Sequence, residues 1–590
     1  MNVLTSNRKI FGLSLAITWG LVSAVLGAPV SLFDQPPVEI RRTTDGHILI
    51  DFGKVAFGNL KLLPPPDAKG GLRVHFGEAS SLGRINRKPP GTVRYAMAQV
   101  QLDGGKEIIV APAADERNIK QPAAILTPPE WGVVLPFRWV EIEGWSGELK
   151  PANIIRRAAF LTAWDDQAAS FKSSDTLLDQ IWELCRYSIK ATTFAGVYVD
   201  GDRERIPYEA DAYLNQLGHY ATDPDIQTAR DTYDRLMAHP TWPTEWAPHM
   251  VFMAHAEWMQ TGDATWLSPR YEALKSKLLN ERLSPDGWVI SEKKHQKRDD
   301  IVDWPVTERD GFVFRETNTV VNAFHLAAIH CMVDLARAVG KNDEADAYAA
   351  AFEKRRTAFN EALFLPSLGA YRDGIGTDHA SSHASLFPLA FGLVPDDRIP
   401  AVTAYLVKRG MTCSVYAAQY LLEGLFRSGA DQAALALITA KNDRSWRHML
   451  ESGTTITWEA WDQKYKPNQD WNHAWGAAPA NLLPRFVLGA QPASAGWTMA
   501  RISPRLSGLT EAKGKVPTPL GPLSVQWIHR DSLTLEIELP NKMKAMVDVP
   551  ALSSASRVLM NGAEVKSVRA GKRLKVSEPI SGSVKLTVTP

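Results

Sequence analysis

A helical barrel or toroid between two β-sandwich domains is the fold the sequence predicts, on three observations. From about Pro29 to Ala168 short alternating runs are separated by Gly, Pro and Asn clusters, the pattern of half-buried strands. From Leu177 the apolar period becomes helical and stays so for roughly three hundred residues. From about Gly496 alternation returns. A chain of 590 residues also exceeds what one hydrophobic core serves, so several domains are expected.

In chain order, Arg8 and Lys9 precede an apolar run from Ile10 to about Val25, then Gly27 and Ala28. This is the layout of a secretory signal with a small-residue cleavage site. Residues 1–28 are expected to be a signal peptide, and the protein to be exported, to the periplasm, without a stable membrane anchor. No later stretch reads as long and apolar enough to span a bilayer. Cys185, Cys331 and Cys413 are far apart and odd in number, which predicts neither a disulfide framework nor a metal spacing.

The first β-domain is expected over 29–170. Its strands include His47 to Gly53, Leu72 to Phe76, Ala98 to Leu102, Glu107 to Val110 and Phe137 to Gly144. The helical domain is expected over 171–492. It opens with Leu177, Leu178, Ile181, Trp182, Cys185 and Ile189 at helical spacing behind an N-cap at Ser174 or Asp175. Further helices are predicted at about 223–238, 248–261, 264–281, 318–339, 342–363, 398–409, 413–428 and 430–440. A second, smaller sandwich is expected over 493–590, from the alternation of Leu523 to Trp527, Ser532 to Leu539 and Lys585 to Val588.

Apolar content of 45% and charged content of 22% are ordinary for soluble globular proteins. A net charge of +1 argues against a nucleic-acid partner. Nineteen tryptophans and fourteen tyrosines are a different matter. Aromatic faces stack on the C–H edges of sugars, although tryptophans also serve as plain core.

Two stations carry the chemistry. The first is Val199 to Asp211, with five carboxylates and two arginines in a loop marked by Gly201 and Pro207. Crowded carboxylates repel, so one of them holds its proton near neutral pH, as acetal hydrolysis requires. An arginine–acid network bracing a helix end would have the same composition. The second station is Trp458-Glu459-Ala460-Trp461-Asp462, with Asn472-His473-Ala474-Trp475 close behind. Aromatic walls desolvate Glu459, and His473 stands near enough in sequence to orient it or a sugar hydroxyl. Trp246 and Trp304, each beside an acid (Glu245 and Asp303), are candidate sugar platforms. Glu204 and Glu459 are far apart in sequence, so only the fold can pair them.

In these segments the chain resembles the bacterial α-L-rhamnosidases of glycoside hydrolase family 78. Phe137 to Gly144 is similar to the strand ahead of that family's barrel, and Phe171 to Asp175 to the barrel's opening. Asp200 to Asp211 is similar to its acid motif, Ser452 to Asp462 and Asn472 to Gly476 to the segment of its general base, and Val516 to Trp527 to its closing sandwich. The resemblance implies an (α/α)6 helical barrel flanked by β-sandwich domains, and a carbohydrate substrate ending in α-L-rhamnose. It also implies an inverting mechanism with Glu204 as acid and Glu459 as base. Asp200 or Asp202, Arg203 or Arg205, Asp211, Asp303 and His473 would hold the sugar, with Tyr208, Trp246, Trp304, Trp458 and Trp461 as walls. Two departures stand out. Gly201 replaces a longer segment in the acid motif, so Asp200 and Asp202 compete for the sugar contact, and Asp202-Arg203 appear in exchanged order. No cofactor is implied and no ligand cluster indicates a catalytic metal; a structural calcium ion in a β-domain stays compatible with the sequence. A polysaccharide lyase with a helical toroid and a non-catalytic sugar-binding protein are the alternatives, and no oligomeric state is legible.

Overall fold

The computed structural model describes residues 28–119 and 124–590; the expected signal peptide, Ala28 apart, lies outside the described residues. The N-terminal part is an eight-stranded antiparallel sheet centred on the long strand Ile48–Leu62. Its order runs Val30–Gln35, Ile154–Leu161, Ile48–Leu62, Leu135–Glu143, Lys69–Gly77 and Tyr95–Asp103, with Glu39–Arg42 and Ile108–Val110 also paired to the central strand. Successive side chains on a strand face opposite ways, and the central strand uses both faces. Ile48, Ile50, Phe52, Leu60 and Leu62 fill the domain's own core. Val55 and Phe57 point the other way and pack on the helical domain, Val55 against Tyr187, Ala191 and Ile456, and Phe57 against Phe194, Val197 and Val199. The rings of Phe57 and Phe194 stack at 3.7 Å. This sheet is therefore seated directly under the loop that follows Val199.

The helical domain starts with Thr176–Thr192, whose first turn is capped by the Asp175 carboxylate accepting from Leu177 N (2.9 Å) and Leu178 N (3.4 Å). Two helices of eight residues or more are not evident in the apolar pattern. Glu209–Tyr220 begins inside the charged stretch, and His383–Ala390 contains Pro388, a residue that ordinarily ends a helix. The single helix expected over 264–281 is instead Ala264–Leu267, Tyr271–Leu274 and a 3-10 turn. Pro269 between the first two lacks the backbone donor that would continue the first. Thr319–Ala338 is long and apolar enough to cross a membrane by length and composition, contrary to the sequence expectation, but it is a largely buried helix of the domain's interior. A short link, Val339-Gly340-Lys341, joins it to Asn342–Leu363.

Two sheets close the molecule. One has seven strands and incorporates Ser170–Ser173, which pairs with Glu511–Val516, so the segment before the first long helix belongs to the C-terminal sheet. The other has six, including Ala490–Pro492, Met499–Ile502 and Lys544–Pro550. One hydrophobic core runs from the helices into these sheets, and Trp527 Nε1 donates to Val487 O across the junction (2.9 Å).

Candidate active site

The loop from Val199 to Tyr208 is tied into a narrow turn before it feeds helix Glu209–Tyr220. Asp200 N donates to Ile206 O (3.0 Å), Ile206 N returns to Asp200 Oδ1 (2.9 Å), and Arg205 adopts a left-handed conformation at φ 57°. Gly201, at φ 117°, is required twice over. A Cβ there would meet Asp470 Oδ2 at 2.8 Å and Asn472 O at 2.9 Å. The shortened front of the acid stretch thus lies flat against the segment that carries Asp470, Asn472 and His473.

That contact joins the two stations around a cavity of about 260 Å³. Asp200, Arg203, Glu204, Tyr208 and Asp211 come from the first station, and Glu459, His473 and Trp475 from the second. Trp242, Trp246, Ile301 and Trp304 complete the wall from two intervening loops. Those loops are held from behind by acids. Glu245, buried, accepts from Ile301 N (2.9 Å) and Val302 N (2.8 Å); burial and the nearby Asp300 push its pKa up to about 7. Glu209 accepts from Thr241 N (2.8 Å), next to Trp242. Tyr208 and Trp246 meet edge to face at 5.4 Å.

The two expected catalytic carboxylates differ in setting. The Glu204 side chain is 34% exposed, accepts from the Tyr208 hydroxyl at Oε2 (2.8 Å) and pairs with Arg203 Nη1 at Oε1 (3.1 Å). Glu459 is 2% exposed. Its Oε1 accepts from Arg203 Nη2 (2.7 Å) and pairs with Lys466 Nζ (3.0 Å), whereas Oε2 has no protein partner. Its backbone is pinned as well, since Glu459 O accepts from Trp475 Nε1 (3.0 Å). Burial and the neighbouring Asp470 raise the proton affinity of Glu459; His473, Arg203 and Lys466 pull it back. Such a group is a carboxylate basic enough to take a proton from water.

Around this pair the remaining charges are matched. Burial opposes a charge on His473, yet Asp211 at Nε2 (2.7 Å) and Asp470 at Nδ1 (3.4 Å) together drive its pKa well up, so the ring is an imidazolium. Burial raises Asp200 well above the usual carboxylate range, His473 opposing and Glu204 and Asp470 adding to the rise. Asp200 thus holds a proton more tightly than an ordinary carboxyl at the cavity wall.

Five expected sugar contacts lie elsewhere, and the structure corrects them. Asp202 is buried behind the loop, where Oδ2 accepts from Arg94 Nε (2.6 Å) and Oδ1 from Asn118 Nδ2 (2.9 Å) and Arg205 Nη2 (2.8 Å). Arg205 points the same way, donating to Val134 O (2.7 Å) with its guanidinium over the Phe57 and Phe194 rings. Both residues tie the acid loop to the N-terminal sheet. Asp303 accepts from His383 Nε2 (2.6 Å), Ser414 N (2.9 Å) and Trp304 N (2.8 Å) and positions Trp304. Trp458 stacks on Trp471 at 4.9 Å, and Trp461 donates to Cys413 O (2.7 Å) against Trp446. Neither is among the residues that line the cavity.

Sequence reasoning passed over Trp242, Ile301, Trp475, Lys466 and Asp470. Trp475 and Asp470 flank His473 closely enough to have been found; Lys466 carries no local signal. Among the described residues two groups bring three potential metal ligands together, His47 with Glu141 and Glu143, and Glu459 with Asp470 and His473. In the first, Arg84 and Arg87 already sit on the carboxylates. In the second, Arg203 and Lys466 hold Glu459, and His473 is itself cationic.

Residues 166–487 match the family model described as the bacterial alpha-L-rhamnosidase 6 hairpin glycosidase domain, and residues 489–564 match the bacterial alpha-L-rhamnosidase C-terminal domain. An alpha-L-rhamnosidase of Alteromonas sp. (strain LOR) is 22% identical over 490 residues, covering 75% of this chain and 51% of its own length. One from Streptomyces avermitilis is 22% identical over 609 aligned positions, covering 96% and 54%. The chain thus spans about half the length of the curated relatives it matches. In fold it is similar to the alpha-L-rhamnosidase from Dictyoglumus thermophilum, with a TM-score of 0.79, 18% identity and coverage of 95% of this chain and 64% of that one. It is also similar to the Streptomyces avermitilis enzyme complexed with L-rhamnose, with a TM-score of 0.76, 19% identity and coverage of 96% and 54%.

Proposed function

Since the chain belongs to the bacterial alpha-L-rhamnosidase six-hairpin glycosidase family, we propose that it hydrolyses glycosides ending in α-L-rhamnose. The terminal sugar would be released from a glycoside, oligosaccharide or polysaccharide with inversion at the anomeric carbon. One observation carries this reading: Glu204 and Glu459 line the same cavity between aromatic walls. At about 260 Å³ that cavity falls below the roughly 300–1,000 Å³ of pockets for drug-sized ligands and fits one sugar ring. Such a pocket suits removal of a terminal residue rather than cleavage within a chain.

In the proposed reaction Glu204, the accessible carboxyl, gives its proton to the glycosidic oxygen as the bond to the anomeric carbon breaks. A water bonded to Glu459 Oε2 attacks that carbon from the other face and leaves its proton on Glu459. Inversion needs the carboxyl groups roughly 6.5–9.5 Å apart, so that the water fits between them. One guanidinium, that of Arg203, touches both carboxylates here. Asp200, Asp211 and His473 offer polar contacts to the ring hydroxyls, Tyr208, Trp246 and Trp304 offer faces for its C–H edges and its methyl group, and the half-exposed Trp242 stands at the mouth for the leaving group.

A panel of aryl glycosides with the α-L-rhamnoside first, followed by proton NMR of the first-released anomer, tests sugar and stereochemistry together. Glu204→Gln and Glu459→Gln should each cost about 10²–10⁴-fold in turnover with an unchanged circular-dichroism spectrum. Near-full activity in either variant would overturn its role, and a retained configuration would overturn inversion. We also propose export to the periplasm, on the Arg8-Lys9 and Ile10–Val25 pattern. The N-terminal sequence of the periplasmic fraction checks it, and an unprocessed cytoplasmic protein would refute it.

A further inference from the structure

Arg203 was expected to hold a sugar hydroxyl, but its guanidinium spends both terminal nitrogens on the two reacting acids. Nη1 lies 3.1 Å from Glu204 Oε1 and Nη2 lies 2.7 Å from Glu459 Oε1. We propose that Arg203 is a charge bridge between acid and base, a positioning residue that follows the negative charge as it passes from Glu459 to Glu204 in each turnover. This rests on the acid–base reading above.

The charge movement follows from the balance of the reaction. Before it, Glu459 is anionic and Glu204 carries a proton. The glycosidic C–O bond breaks with its electron pair on the departing oxygen, which takes the Glu204 proton. Water supplies the pair for the new C–O bond and its proton goes to Glu459 Oε2. At the end Glu204 is the anion and Glu459 is neutral. No net charge enters or leaves the site, but one negative charge has crossed from one end of Arg203 to the other. A planar guanidinium with delocalised charge can serve both ends without moving, which a lysine ammonium cannot. In a site shielded from water, charge stabilisation that needs no rearrangement is worth most.

The surroundings fit this role. Arg203 is faced by Glu459, Asp470, Glu204 and Asp200, all of which favour its cationic form. Glu459 is faced by Arg203, Lys466, Asp470 and His473, and Glu204 by Arg203, Tyr208 and Asp200. Behind them His473 pairs with Asp211, and Glu78 lies next to Asp470. Lys466, 4% exposed, also donates to Asn468 Oδ1 (2.9 Å) and touches only the base. It fixes Glu459 Oε1, so that Oε2 alone is left for water. The two cations therefore differ in a way that can be measured, since Arg203 contacts both carboxylates and Lys466 contacts one.

The test is the pH profile of kcat/KM on an activated aryl rhamnoside, whose two limbs report base and acid in the free enzyme. Removing a cation raises the pKa of the carboxylate it touched. Arg203→Met should move both limbs upward by about one unit, whereas Lys466→Met should move only the acidic limb. Arg203→Lys keeps one charge that can serve one carboxylate, so a single limb should move and the width of the bell should change. Circular dichroism and thermal melts confirm that each variant is folded; if Arg203→Met is not, Arg203→Lys and Lys466→Met carry the test. Limbs that stay in place while KM rises would overturn the bridge and leave Arg203 as a sugar contact. If Glu204→Gln and Glu459→Gln keep their turnover, the acid–base reading itself fails. If they lose it and the limbs of the Arg203 variants do not move, only the bridge fails.

Discussion

Replacing Asp202 by Asn separates two roles that its position in the acid stretch leaves open. The carboxylate is buried and accepts from Arg94 (2.6 Å at Nε), Arg205 (2.8 Å) and Asn118 (2.9 Å). Burial alone would raise its pKa; the charges of Arg94 and Arg205 outweigh it and hold the group below the ordinary value. Asparagine keeps the shape but turns an N–H toward one of these donors and removes the charge. Arg94 still has Asp115, whereas Arg205 is left with a backbone carbonyl. Breaking a buried ion pair costs about 3–5 kcal/mol, and the surviving Arg94–Asp115 pair puts the expected loss near 3 kcal/mol at pH 7. Because the native pKa is depressed, this contribution is present above the unfolded value and is lost as pH falls through the native one. The gap between wild type and variant should therefore close in strong acid. Urea unfolding at pH 7 and at pH 3, with KM measured in parallel, is the assay. A loss below 1 kcal/mol with KM raised tenfold or more would refute the interface role and return Asp202 to the sugar.

Gly201→Ala should cost about 1–3 kcal/mol, because the left-handed φ and the approach of Asp470 and Asn472 leave no room for a methyl group; a thermal melt unchanged from wild type would contradict that. Glu78, buried between the N-terminal sheet and Asn472, has its pKa pushed by burial up to about 8. Its native state then holds a proton that unfolding releases, so this group's contribution to stability is full below about pH 4.5 and falls by about 1.4 kcal/mol per pH unit toward pH 8. Chemical denaturation of wild type and Glu78→Ala across that range should show the slope only in wild type. Trp242, 50% exposed at the cavity wall, should matter through what leaves rather than what is held. Trp242→Ala should lower kcat/KM several-fold for rhamnosides with an aryl or sugar leaving group and leave a methyl rhamnoside unaffected. An equal loss on all three would place it against the terminal ring instead.

The order of sheet, helices and sheet was legible because strand and helix periods differ and each is written over many residues. Glu204 and Glu459 stood out as candidates because unusual residue types crowd locally around each. Helix His383–Ala390 was hidden by its internal proline, and Asp202 looked like a ligand because a stretch of charges does not say which way each side chain turns. Sequence by itself determined the layered architecture, the two acidic stations and the aromatic supply, all properties of neighbouring residues. Only the tertiary structure decided that Arg203 lies between the two acids, that Lys466 touches one of them, and that Asp202 and Arg205 belong to the seam with the first sheet. The reason is physical. A buried charge is assigned its role by the partner that offsets its desolvation, and here the decisive partners are brought from distant parts of the chain by the fold.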